Sequence, residues 1–171
     1  MENQLIELLQ TRRSIRRYTT DIVSDEMLDQ LVRTAMYAPS AHSKFPLHFI
    51  VIKDSIHKQA IMKVHPHASM LEHAAAVILV CGDTQLNPEI EYLSLDAAAA
   101  TMNLLLAAHA LHLGACWLGV YPKKERMQGI ADHFHLPEHI IPLTGIALGH
   151  TEQIKPQPER YQAERIHTEV W

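Results

Sequence analysis

A gap in the charge pattern limits the folds open to this 171-residue chain more than any other feature. From Ala97 to Pro122 no residue carries a formal charge, although charged residues make up 20% of the sequence. A stretch of that length is long enough to span a bilayer. It also holds Thr101, Asn103, His109, His112, Gly114 and Gly119, and its second half lacks a helical pattern. The better reading is a helix buried on all sides, in a domain core or a subunit interface. No membrane association is expected.

The flanking sequence is that of a globular protein. The net charge of −4 argues against the basic surface that general nucleic-acid binding needs, and against a polybasic membrane anchor. Cys81 and Cys116 sit in separate apolar stretches with no paired spacing, so neither a disulfide framework nor a zinc ribbon is expected. The opening Met1-Glu2-Asn3-Gln4 has no basic segment before a long apolar one, so the expected compartment is the cytoplasm. The 13 histidines form small groups at His65/His67, at His109/His112 and at His133/His135/His139. No HExxH is present and no carboxylate completes an evident site. Surface and capping roles are therefore expected for them, and no metal.

Periodicity divides the chain into alternating helices and strands. Leu5, Leu8 and Leu9 give a short amphipathic helix over 3–11. Ser24 caps a second helix, with Asp25 and Glu26 in its first turn, and Pro39 closes the segment. Residues 47–53 read as a strand, 55–64 as a helix opened by Asp54 or Ser55, and 69–73 as a short helix. The apolar run 75–81, bounded by Gly82, reads as a buried strand. A long Ala/Leu-rich helix follows over 93–113, closed by Gly114. Then come an extended segment at 115–121, a helix at 123–134 and a strand at 140–148 ended by Gly149. From Thr151 the chain reads as an extended arm. A terminal Trp171 should not be left in water, so the arm is expected to pack against something. The alternation gives an α/β or α+β class around one sheet.

Four segments carry candidate chemistry. Thr11-Arg12-Arg13-Ser14-Ile15-Arg16-Arg17-Tyr18 crowds four guanidinium groups into an acidic protein, a pattern suited to phosphate. Ala38-Pro39-Ser40-Ala41-His42-Ser43-Lys44-Phe45-Pro46 is a loop of small and hydroxyl residues where backbone approaches a ligand closely. Leu113-Gly114-Ala115-Cys116-Trp117-Leu118-Gly119 brackets a Trp between glycines that let amides face a planar group. The arm supplies Arg160-Tyr161, then Arg165-Ile166-His167 and Trp171.

Taken in this order, the four segments resemble the nitroreductase family of FMN-dependent oxidoreductases, over nearly the whole chain from Leu8 to Trp171. The resemblance implies one FMN-binding domain over residues 1–171. It implies an α+β fold: a mixed, mainly antiparallel sheet flanked by helices, a long buried central helix and an extended C-terminal arm. It further implies a homodimer with FMN at the interface. Arg12, Arg13, Ser14 and Arg16 match the family's motif for the FMN phosphate, ribityl chain and ring edge, and Arg160 matches a second phosphate ligand. Pro39, Ser40 and Ser43 match a loop that reaches the flavin from the other subunit. Leu118 and Gly119 match the stretch whose amides face the ring, and His67 lies where relatives contact the pyrimidine edge. The family loop Pro-Ser-x-x-Asn-x-Gln-Pro-Trp departs here to Ser43, Phe45 and Leu47.

The implied function is transfer of hydride from NADH or NADPH through flavin N5 to a nitroaromatic, quinone or similar small oxidant, in a ping-pong cycle. The chemistry would lie on FMN, with no catalytic side chain. The alternative is a member that handles flavin or serves as a dimeric scaffold without reductase activity. No GxGxxG marks a dedicated dinucleotide site.

Overall fold

The structure, a computed structural model, describes residues 4–171. Five helices and four strands follow in the order α1 (Gln4–Thr11), α2 (Asp25–Met36), β1 (Leu47–Ile52), α3 (Ser55–Val64), β2 (Ala76–Asp83), α4 (Ile90–Ala110), β3 (Gly114–Gly119), α5 (Lys124–His133) and β4 (Ile140–Gly149). The strands form one antiparallel sheet in the order β1-β2-β4-β3. Along the free edge of β3, Ser14 makes a parallel bridge to Ala115. That bridge makes the sheet mixed and lays the arginine-rich segment beside β3.

The two central strands explain their own sequences. Both β2 and the later part of β4 are buried on each face, which is why they read as unbroken apolar runs rather than alternating ones. Pro142 sits inside β4, where a proline would break a central ladder. The register shift between Val80 and Cys81 removes the conflict, because Leu143 is the extra residue and Pro142 falls at the bulge.

The helix α4 crosses one face of the sheet and packs against α2, β2, β3 and β4. By length and composition it would pass for a membrane span. Here Leu93, Ala97, Ala100, Leu104 and Ala108 enter the core shared with α2 and the sheet, together with the buried Asp96 and Thr101. The Thr101 and Thr144 hydroxyls satisfy each other at 2.7 Å. Within one chain the burial is one-sided, which leaves the subunit-interface form of the expectation for the other face. Leu95, Met102 and, less fully, Ala98, Ala99 and Leu106 lie on a second face that this chain leaves uncovered.

Three further expectations shift. The strand expected to stop before Gly82 runs on to Asp83. Helix α4 begins at Ile90 and ends at Ala110, so Gly114 is not its cap. The left-handed residue after the helix is His112, at φ 58°. Gly114 instead opens β3, where a Cβ would stand 2.6 Å from Ile15 Cγ2 and 2.8 Å from Thr151 Cγ2. The glycine is there for close packing of three segments.

Candidate functional site

The arginine segment leaves α1 and runs along the outer edge of β3. The Ile15 amide donates to the Ala115 carbonyl at 3.0 Å. The first turns of the C-terminal arm then fasten the segment in place. Lys155 Nζ donates to the Ser14 carbonyl at 2.6 Å, the Arg16 amide donates to Gln153 Oε1 at 3.2 Å, and Thr151 Oγ1 donates to the Arg17 carbonyl at 2.7 Å. Arg13 is committed to the same task, because its guanidinium donates to the carbonyls of Gln10, Arg12 and Pro156.

Arg12 is different. Burial depresses its pKa first, and the neighbouring charges of Arg160 and Arg13 depress it further. Guanidinium groups repel one another across such distances, and only a counterion makes the arrangement favourable. Ion pairs among the described residues occupy Arg33, Lys53 and His48, and none reaches Arg12, Arg13, Arg16 or Arg160. The cluster is thus chemically suited to an anion. Beside it, a cavity of about 380 Å³ opens between the ends of α1 and α4 and the arm, lined by Thr11, Arg12, Arg13, His109, His112 and Lys155 among others.

The far end of β3 is built for a flat group. Because Ala115 turns its polar groups to the outer edge, strand alternation turns those of Trp117 and Gly119 the same way and those of Leu118 toward β4. The Leu118 amide faces the β4 ladder and its side chain is buried among Leu79, Cys116 and Val120, so Gly119 is the one of the two whose amide turns outward. Gly119 is exposed, and a Cβ there would meet nothing within 4 Å. Arg126 of α5 donates to the Gly119 carbonyl at 2.7 Å, and the same Nη1 lies 3.2 Å from His65 Nε2. A guanidinium only donates, so this contact calls for a lone pair on Nε2, while the His67 amide donates to Nδ1 at 3.3 Å; one neutral ring satisfies one of the two. Burial, and then Arg126, hold the His65 pKa below its usual value. The ring of His67 lies 6.4 Å from that of His65, which ties it to the Gly119 end of the strand.

Pro39, Ser40 and Ser43 are not brought to this edge within one chain. Their loop docks on the start of α4, where Ser40 Oγ donates to Asp96 Oδ2 at 2.7 Å and the Ala41 amide donates to Asp96 Oδ1 at 2.9 Å. The arginine cavity lies at the other end of α4, by His109. His109 lies thirteen positions after Asp96 along the helix, about 20 Å at 1.5 Å per residue. His42, Ser43 and Phe45 all adopt positive φ, between 47° and 54°. A loop of non-glycine residues held in that region is strained and depends on its anchors.

Three contributors were not legible in the sequence. Asp96 binds a loop 55 and 56 positions away in the chain. Arg126 and His65 meet Gly119 only through the packing of α5 beside the sheet. The nearest signals were the lone carboxylate ahead of the uncharged run and the histidine pair at 65 and 67.

With this geometry in place, the comparisons are informative. The nitroreductase family model matches residues 9–87 and 62–150. The chain belongs to the nitroreductase family. A relative from Methanothermobacter thermautotrophicus, provisionally named an NADH dehydrogenase/NAD(P)H nitroreductase, is 40% identical over 98% of this chain and 87% of its own length. A crystal structure of a similarly named protein from Parabacteroides distasonis superposes with a TM-score of 0.95 at 36% identity, covering 99% of this chain and 100% of that one. A nitroreductase-family structure from Desulfovibrio desulfuricans, in complex with FMN, gives 0.88 at 32% identity, covering 100% and 99%. The fold of this chain is that of the nitroreductase family. The residues present also fit FMN. A guanidinium cluster lacking carboxylate partners suits a phosphate, and open space above Gly119 suits a planar ring. The strand between Ala115 and Gly119 spans about 13 Å.

Proposed function

We propose that this chain, a flavin-dependent NAD(P)H oxidoreductase of the nitroreductase family, passes hydride from NADH or NADPH to a small oxidant of the nitroaromatic or quinone class. The observation that carries the reading is the split edge of β3, with a guanidinium cluster that no carboxylate pairs among the described residues at one end and an open glycine at the other. The flavin-reductase and nitroreductase names of the relatives favour it over a scaffold without activity.

Bound FMN would supply a two-electron carrier between nicotinamide and oxidant, the chemistry of a ping-pong cycle. The protein's part is binding and electrostatics. Arg12 and Arg160 hold the phosphate through charge-assisted bonds. Arg13 and Ser14 fix the segment and the arm against each other. The outward amide of Gly119 is a preoriented donor for a ring nitrogen, and Arg126 keeps that peptide from rotating. Arg16 places positive charge on the same edge, where negative charge develops on reduction. His67, beside His65 near the Gly119 end, would meet the polar rim of the ring.

A second copy of the chain completes the site. The loop of Pro39, Ser40 and Ser43 lies about 20 Å from the arginine cavity along α4 in its own subunit. It therefore serves the edge of a partner in a homodimer. Leu95, Ala98, Ala99, Met102 and Leu106 form a stripe at helical spacing that such a partner covers. The proposed setting is cytoplasmic.

An absorbance scan of the purified protein, before and after adding FMN and desalting, tests the reading. A retained flavin spectrum that NADH or NADPH bleaches anaerobically, and that a quinone or nitroaromatic restores, is expected. A protein that stays colourless after FMN is added overturns it.

A further inference from the structure

The cavity at the end of α4 contains a group that the phosphate reading does not use. His109 lines it beside Arg12, Arg13 and His112. Thr11 Oγ1 lies 3.0 Å from His109 Nε2 and also donates to the Glu7 carbonyl at 2.7 Å. A hydroxyl has one proton. With that proton given to Glu7, the threonine oxygen accepts from Nε2–H, and this fixes the neutral ring with its lone pair on Nδ1. The ring is anchored at one nitrogen and titratable at the other.

We infer that His109 is a member of the phosphate seat and takes up a proton on Nδ1 when the phosphate enters, so that cofactor binding and protonation are linked. The inference rests on the FMN reading above. Its physical basis is the charge around the ring. Arg12 and Arg13 reach it from the segment after α1, and His112 from the turn after α4. Lys155, on the arm, lines the same cavity, and Arg160 adds its charge beside Arg12. Glu7, one turn before Thr11, is exposed, and Cys116 on β3 is a buried thiol whose pKa burial raises. Among the described residues, no carboxylate lines the cavity. In the free protein, burial first and then Arg12 and Arg13 hold the His109 pKa below its ordinary value. A phosphate dianion reverses the sign of the local field. It has no proton to give, so it meets Nδ1 favourably only when that nitrogen is protonated.

The sign of the pH effect follows. Between the low pKa of the free state and the raised pKa of the bound state, each phosphate bound takes up a proton. FMN affinity therefore falls as pH rises through that window, by up to roughly tenfold per pH unit. The second ionisation of the phosphate itself, near pH 6, works in the opposite direction. It is common to all variants, and it is absent from riboflavin.

The test is a set of FMN titrations of the full chain from pH 6 to pH 9, followed by flavin fluorescence, for wild type, His109→Gln and His112→Asn. Calorimetry at pH 7 in two buffers of different ionisation enthalpy counts the protons. Wild type and His112→Asn are expected to lose affinity with rising pH and to take up a proton fraction that His109→Gln does not. Equal pH slopes and proton counts in wild type and His109→Gln overturn the inference, as does loss of the linkage in His112→Asn alone. Nitrogen NMR of histidine-labelled wild type answers the same question without a variant. The Nδ1 resonance of His109 is expected to shift to the protonated position on adding FMN, and an unchanged resonance overturns the inference. Failure of wild type to bind FMN at any pH is a different result, because it removes the cofactor reading itself.

Discussion

Arg12 and Arg160 repel each other in the free protein, so their proximity costs stability that only an anion recovers. Replacing either by Ala removes a charge-assisted contact to phosphate, about 1.5–3 kcal/mol. FMN affinity should fall roughly 10- to 100-fold in a fluorescence titration while the melting temperature of the apoprotein holds or rises. Gly119→Ala provides the complement at the ring end. The added Cβ touches nothing in the chain, so thermal stability should be unchanged while FMN binding weakens. Unaltered FMN affinity would place the ring elsewhere. His65 yields a pH prediction. Its folded pKa lies below the unfolded value of 6.5, so the folded protein holds fewer protons than the unfolded one between the two values. Stability is complete above pH 6.5 and is lost as pH falls below it. Thermal melts of His65→Gln should show a shallower decline between pH 7.5 and pH 5.5 than wild type.

Elements were legible where a local pattern dictates them. Ser24 caps α2 through its hydroxyl, which accepts from the Met27 amide, and Asp54 caps α3 through the Ile56 amide, as short polar side chains at helix starts do. The end of α4 was misread for a physical reason. Gly114 looks like a cap in sequence, yet the left-handed turn falls on His112, and glycine is required two residues later because Ile15 and Thr151 press on β3. Such a contact joins segments 99 and 37 positions away, and no local pattern encodes it. The same logic governs α5. Gly129 lies where a Cβ would stand 2.5 Å from Val64 Cγ1, so α5 approaches α3 closely there. Gly129→Ala gains about 1 kcal/mol of helix propensity and forces overpacking that costs roughly 1–3 kcal/mol. A net drop in melting temperature is expected, and adding Val64→Ala should recover it. A stabilised single variant would show that the two helices separate freely.

At the scale of the whole molecule, the first half of the uncharged run lies in α4, with one face in the core and one that this chain leaves uncovered, and the second half supplies β3. The sequence reading found its apolarity but had no means of telling which side faces which chain. The arm behaves in the same way. As far as Pro156 it is bonded to the arginine segment, and beyond it the residues are exposed, ending in Trp171 stacked on His167 at 4.1 Å. The expected packing of this end is not met within its own chain. The proposed homodimer would give both surfaces a partner. Sedimentation at micromolar protein should therefore show a dimer, and removal of residues 157–171 should weaken it. A monomeric full-length chain would leave the loop at Ser40 without a site to serve.

The two tryptophans stand at opposite ends of this arrangement. Trp117 is part of the strand edge proposed to meet the flavin, and Trp171 ends the arm proposed to meet the partner. Their emission is thus divided between two events. Quenching by the yellow cofactor should act most strongly on Trp117, and the colour of Trp171 emission should move toward the blue when subunits associate. A pair of single Trp→Phe variants turns the protein's own fluorescence into separate optical reports of loading and assembly, with no added dye.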